Sequence, residues 1–158
     1  MAKIYGDVNI PGLEIYTFQH DVSVGTATTA TITITTPNTA EQVMFAVEVQ
    51  AANTGILTFS KVPNFGTGTG ITLIDANQRK TGTASTTVEY GGTVTSAGTT
   101  VQKFVLGART LPVTVRGAPG SDHSFYLLNS NTEYLLSFDA DNATTSVYFN
   151  GYIYEYSQ

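Results

Sequence analysis

The sequence contains no cysteine and no tryptophan, and only 12% of its 158 residues are charged. Without cysteine it forms neither disulfides nor thiolate metal sites, so its stability must come from packing and hydrogen bonding. The charged fraction is about half of the ~25% that is typical of soluble domains, which is little charge for a surface that faces only water. We therefore expect part of the surface to be covered in an assembly.

Positive charge is also scarce, because seven lysines and arginines stand against twelve acidic residues and give a net charge of -5. Such a chain lacks the basic face that would neutralise nucleic-acid phosphates, so direct binding to DNA or RNA is not expected. The longest apolar stretch, residues 43–52, is interrupted by Glu48 and Gln50 and is too short to span a membrane. Residues 1–11 lack the apolar run of a signal peptide. The sequence therefore predicts a soluble protein.

Alternation of apolar and polar residues recurs along the chain, whereas helical spacing is rare, which predicts an all-β protein. In the clearest example Val43, Phe45, Val47 and Val49 alternate with more polar residues and predict a strand with one buried face. Residues 53–55, Asn-Thr-Gly, are predicted to make a hairpin turn that returns the chain antiparallel to this strand. About eight such strands, with frequent turns, predict an antiparallel β-sandwich of jelly-roll-like form.

The length suits one domain of this kind and not two. We place the sandwich at residues 21–158. Residues 1–20 contain Pro11-Gly12 followed by the apolar segment 13–18, and are either an N-terminal arm or a first strand. Two Gly-containing segments, 63–70 and 116–124, are predicted to be loops.

The two histidines, His20 and His123, have no partner at metal-ligand spacing, so no metal site is predicted. The sequence Asp122-His123-Ser124 contains the residue types of a catalytic triad. Adjacent residues of a strand point to opposite sides, however, and a polar loop is the better interpretation.

Two further segments resemble ligand-binding loops only in composition. Residues 66–70 alternate Gly and Thr but lack the Gly-Lys-Ser/Thr ending of a phosphate-binding loop. Asp139, Asp141 and Asn142 offer oxygen ligands without the distal glutamate of a calcium loop, and we interpret them as a turn. No catalytic residue, cofactor or metal ligand is predicted, and we do not expect an enzyme.

The aromatic segment VYFNGYIYEY, residues 147–156, is the most informative local feature. Alternation places Val147, Phe149, Gly151 and Ile153 on a core face. The opposite face carries Tyr148, Asn150, Tyr152, Tyr154 and Tyr156. Tyrosine combines apolar area with a hydroxyl group and is enriched at protein interfaces. Three interpretations remain open, namely a subunit interface, aromatic packing under a loop of the same subunit, and a platform that stacks against a sugar.

Three stretches, taken in order, resemble a group of small virion proteins of tailed bacteriophages, which are structural, head-fibre or capsid decoration proteins. Residues 68–100 are similar to that group's Gly-rich loop, its Asn-x-Arg element (residues 77–79) and its TVTSxGT turn. Residues 125–145 contain its Asn-x-x-Tyr-Leu-Leu motif, which begins at Asn131. Residues 147–156 resemble its aromatic closing strand, with Ile153 where that strand usually has tryptophan. The first 60 residues match it only by general β pattern.

This resemblance implies a β-sandwich displayed on the virion, without catalytic residues or a cofactor. We expect a capsid decoration or cement protein on the phage head that forms a homotrimer. Its partners would be other copies of the chain and the major capsid protein or another virion protein. The alternative is a carbohydrate- or receptor-binding module of a tail fibre or tailspike, with Tyr148 or Tyr152 as the stacking platform.

Overall fold

A computed structural model describes residues 12–25, 28–39, 42–76, 82–106, 113–116, 125–141 and 144–156, with residues 113–116 described by their backbone alone. The described residues form fourteen strands and no helix, so no helix among them could cross a membrane. The strands are β1 (Leu13–Val24), β2 (Thr29–Thr35), β3 (Gln42–Ala51), β4 (Gly55–Lys61), β5 (Asn64–Phe65), β6 (Thr69–Gly70), β7 (Ile74–Asp75), β8 (Thr87–Tyr90), β9 (Val94–Ser96), β10 (Thr99–Leu106), β11 (Val113–Arg116), β12 (Tyr126–Leu128), β13 (Glu133–Ala140) and β14 (Thr145–Tyr156).

Two six-stranded sheets make up the fold. Sheet A has the order β11-β3-β14-β1-β7, with β12 also paired to β3, and sheet B has the order β10-β4-β13-β2-β8-β6. A small third sheet pairs β5 with β9. Every strand pair is antiparallel, and the two large sheets pack face to face. The all-β sandwich predicted from the alternation is confirmed.

Aromatic rings join the two sheets in the core. Phe45 of sheet A lies between Phe18 of the same sheet, at a ring-centroid distance of 6.5 Å, and Phe59 of sheet B, at 6.0 Å. Phe59 in turn stacks on Tyr134, at 5.6 Å. The predicted inward residues of β3 are all buried, because period-two alternation brings one side of each strand to the sheet interface.

The hairpin predicted after β3 is wrong. Residues 53–55 do turn the chain, but β4 enters sheet B, where it pairs with β13 and β10. Both edges of β3 are occupied by later strands, namely β14 on one side and β11 and β12 on the other. The turn is bound instead to the start of β14, because the Asn53 N–H donates to Thr145 Oγ1 (2.9 Å) and Asn53 Nδ2 donates to the Thr144 carbonyl (3.1 Å).

Several other segments contain strands that the sequence did not predict or left open. The sequence leaves open whether residues 1–20 are an N-terminal arm or a first strand. Residues 13–20 form the first part of β1, which pairs along its whole length with β14. The predicted loop at 63–70 includes β5 and β6. Strands outnumber the predicted eight because β5, β6 and β7 have two residues each and β9 and β12 have three. Residues 1–11 and 117–124 lie outside the described residues.

Candidate interaction surface

The five predicted interface residues lie on the outer face of sheet A, turned away from the core. They belong to β14, which runs between β1 and β3. The register gives each of them one neighbour on β1 and one on β3: Tyr156 with Leu13 and Gln42, Tyr154 with Ile15 and Met44, Tyr152 with Thr17 and Ala46, Asn150 with Gln19 and Glu48, and Tyr148 with Asp21 and Gln50. Side chains in such cross-strand rows are close enough to act together.

The rows of Tyr152, Tyr154 and Tyr156 form what we call the apolar half of the face. Three exposed apolar side chains extend it: Leu127 beside Met44 is 67% exposed, Ile74 beside Thr17 is 63% exposed, and Phe125 is 48% exposed. No described side chain of this half is charged. The apolar half is therefore a continuous surface of aromatic and aliphatic groups, with polar atoms at the tyrosine tips and on the side chains of Thr17 and Gln42.

Tyr154 occupies the middle of the apolar half. Its ring meets that of Phe125 edge to face, with centroids 5.1 Å apart, an arrangement that is favourable for aromatic pairs. Burial, together with the neighbouring Tyr152, raises the pKa of the Tyr154 phenol above its ordinary value. The hydroxyl therefore stays neutral at physiological pH and can act as both donor and acceptor.

The rows of Asn150 and Tyr148 form the polar half of the face. They contain the amides of Gln19, Gln50 and Asn150 and the carboxylates of Asp21 and Glu48. Gln50 Nε2 donates to Glu48 Oε1 at 3.4 Å. Tyr148 lies among these groups with half of its surface exposed, at 50%. The sequence predicts that the five residues share a face, but it does not reveal that the face has two chemically different halves.

A second group of polar side chains lies between the sheets at the end of the sandwich where β14 ends. Glu155 is only 4% exposed, and its two carboxylate oxygens accept the backbone N–H groups of Ser85 (3.0 Å) and Thr86 (2.6 Å). These bonds attach the segment before β8 to the last residues of β14. Sequence reasoning missed this role, although alternation from Ile153 already places Glu155 on the inner side of its strand.

Two more acidic residues belong to the same group. Tyr16 donates its hydroxyl to Glu14 Oε2 at 2.6 Å, and the Gly82 N–H donates to Asp75 Oδ2 at 2.9 Å. Burial, followed by the hydrogen bond to Glu14, raises the pKa of Tyr16 well above its ordinary value. No set of three acidic or histidine side chains among the described residues is arranged to hold a metal ion.

His20 and the 66–70 segment, which the sequence analysis considered as possible sites, make contacts within the fold. His20 is partly buried between the sheets, with its ring centroid 4.1 Å from that of Tyr90, and burial lowers its pKa from the usual 6.5. Within the 66–70 segment, the Gly68 N–H donates to Glu89 Oε2 at 2.9 Å. Residues 122–124 lie outside the described residues.

The predicted turn at 139–142 begins later than expected. Asp139 still belongs to β13 and accepts a hydrogen bond from the Thr29 hydroxyl. Asp141, directly after the strand, donates its backbone N–H to the Thr54 carbonyl at 3.1 Å, and Asn142 lies outside the described residues. The two aspartates thus serve different local contacts.

Comparison of the chain with protein-family models, with curated proteins and with solved structures found no match.

Proposed function

We propose that this chain is a non-enzymatic structural protein of a tailed-phage virion, which assembles with copies of itself through the apolar half of sheet A. The observation that carries the proposal is the exposure of Leu127, Ile74 and Phe125 beside the three tyrosines of the apolar half. Contiguous apolar surface of this kind is costly to leave in water and marks interaction sites in soluble proteins.

The composition of the apolar half favours another protein surface as its occupant. The centres of protein interfaces are rich in tyrosine, phenylalanine and methionine and poor in charge. The apolar half contains three tyrosines, Phe125 and Met44, and none of its described side chains is charged. Three copies of the chain can bring this surface together around a three-fold axis, and the low charge of the whole sequence suits a subunit that is partly covered.

The resemblance of residues 68–100, 125–145 and 147–156 to small phage virion proteins supports the wider assignment. In this proposal the protein is a capsid decoration or cement protein on the head, made in the bacterial cytoplasm, and its polar loops contact the major capsid protein or another virion protein. A homotrimer suits the local three-fold axes of a capsid. The jelly-roll-like connectivity of the sandwich stays a prediction.

The oligomeric state tests the proposed interface. Size-exclusion chromatography with light scattering should give a trimer for the wild type at micromolar concentration. Leu127→Asp places a charge in the apolar half and should yield a monomer with an unchanged circular dichroism spectrum. The matched control is Val105→Asp, which changes a 78% exposed aliphatic residue on a strand of sheet B and should remain trimeric. A monomeric wild type would refute the interface.

Attachment to particles tests the virion role separately. The purified protein, carrying a fluorescent label, should co-sediment with phage heads from which the protein has been removed. Electron microscopy of heads with and without the protein should show added surface density only in the first. A trimer that associates with no head or other virion part would contradict the virion assignment and leave the interface intact.

A further inference from the structure

We propose that the polar half of sheet A is a binding site for neutral saccharides, with Tyr148 as the ring on which a sugar stacks. The tyrosine ring is half exposed and has Asp21 and Gln50 as its direct cross-strand neighbours. The aliphatic face of a pyranose packs on an aromatic ring, while its hydroxyl groups need planar partners that donate and accept in the sugar plane. Amides and carboxylates supply these bonds.

The spacing of the groups suits this ligand. Adjacent strands lie ~4.8 Å apart and residues on one face repeat every ~6.7 Å along a strand. The polar half therefore presents Tyr148 and five hydrogen-bonding side chains within about 10 Å by 7 Å, which is the footprint of a disaccharide. The surface is a sheet face and not a closed pocket, so a longer chain can enter and leave at either side.

The charges select against anionic ligands. The polar half contains the carboxylates of Asp21 and Glu48. These two carboxylates, on a chain of net charge -5, would repel a polyanion, whereas neutral hydroxyl groups can bond to the amides and carboxylates of the polar half. The same charges make the polar half unsuitable as the dry centre of a subunit interface.

The saccharide site does not depend on the proposed virion function, and its test uses a different readout. The full-length wild type would be titrated by isothermal calorimetry with cellopentaose, maltopentaose, laminaripentaose and N-acetylchitopentaose, and with pentagalacturonate as the anionic probe. We expect binding of at least one neutral pentamer and none of the anionic one. Tyr148→Ala should weaken binding about tenfold or more, while Tyr148→Phe, which keeps the ring, should retain most of it.

Val105→Ala on sheet B serves as the control and should bind like the wild type. Light scattering on Tyr148→Ala should show the same oligomer as the wild type, which separates the loss of a sugar site from the loss of assembly. The proposal is overturned if none of the neutral pentamers binds, if Tyr148→Ala binds as tightly as the wild type, or if only pentagalacturonate binds.

Discussion

The ring of Phe18 occupies the space in which a side chain at Gly151 would lie. The two residues are direct register partners on β1 and β14, and a Cβ placed on Gly151 would be 2.0 Å from Phe18 Cε1. The same ring stacks on Phe45 in the core. Gly151 therefore allows a large aromatic side chain to lie across the middle strand of sheet A.

We expect Gly151→Ala to destabilise the fold by about 1–3 kcal/mol, because the added methyl group forces the Phe18 ring away from its packing position. Guanidinium unfolding followed by circular dichroism would measure the change. Gly70→Ala is the matched control, since a Cβ at Gly70 meets nothing within 4 Å. Equal losses in the two variants would contradict the close contact between Phe18 and position 151.

The sequence predicts the core face of β14 well and its surroundings poorly. Alternation assigns Phe149, Gly151 and Ile153 to one side without knowledge of any other strand, because the period of a strand is a local property. It does not give the partners of β14, since β1 and β3 lie far away in the chain. The hairpin predicted after β3 is wrong for this reason, because turn residues fix where the chain bends and not which strands pair.

The two halves of the outer face could not be predicted for the same physical reason. The tyrosines of β14 look alike in sequence. Only the register with β1 and β3 shows that Tyr154 lies beside Ile15 and Met44, whereas Tyr148 lies beside Asp21 and Gln50. The character of a sheet surface is set by cross-strand neighbours, so a single strand does not reveal it.

Removal of the Glu155 carboxylate should loosen the segment that precedes β8. We expect Glu155→Ala to lower the free energy of unfolding by about 1.5–3 kcal/mol, because the Ser85 and Thr86 N–H groups lose a charged acceptor in a buried site. Hydrogen exchange should become faster at these two amides in particular. Glu133→Ala, at an exposed position of β13, is the control. Unchanged exchange at Ser85 and Thr86 would show that Glu155 does not hold the segment.

Acidification should weaken the fold through His20. Burial lowers its folded-state pKa below 6.5, so the unfolded chain takes up the proton first as the pH falls. The contribution of His20 is therefore complete above pH 6.5 and is lost as the pH falls from there through the folded-state pKa. The free energy of unfolding, measured between pH 7.5 and about pH 5, should fall with decreasing pH in the wild type and in His123→Gln. This fall should be smaller in His20→Gln. An identical pH dependence of stability in the wild type and His20→Gln would contradict this role of His20.

Two buried hydroxyl groups should respond in opposite ways to removal. Ser60 is buried on β4, and its Oγ has no hydrogen-bond partner in the described part of the chain. Thr36 is also buried, but its Oγ1 donates to the Asn129 carbonyl at 2.7 Å and accepts the Thr132 N–H at 2.9 Å. Removing an unsatisfied polar group is neutral or stabilising, whereas removing a bonded one leaves its partners unpaired.

We therefore expect Ser60→Ala to unfold at the same or a higher guanidinium concentration than the wild type. Thr36→Val, which conserves volume and removes the hydroxyl, should lose about 1–3 kcal/mol because the Thr132 N–H is left without its acceptor. The exchange rate of the Thr132 amide provides an independent measure and should rise only in the Thr36 variant. A clear loss of stability in Ser60→Ala would mean that its hydroxyl has a partner, such as a bound water, that supports the fold.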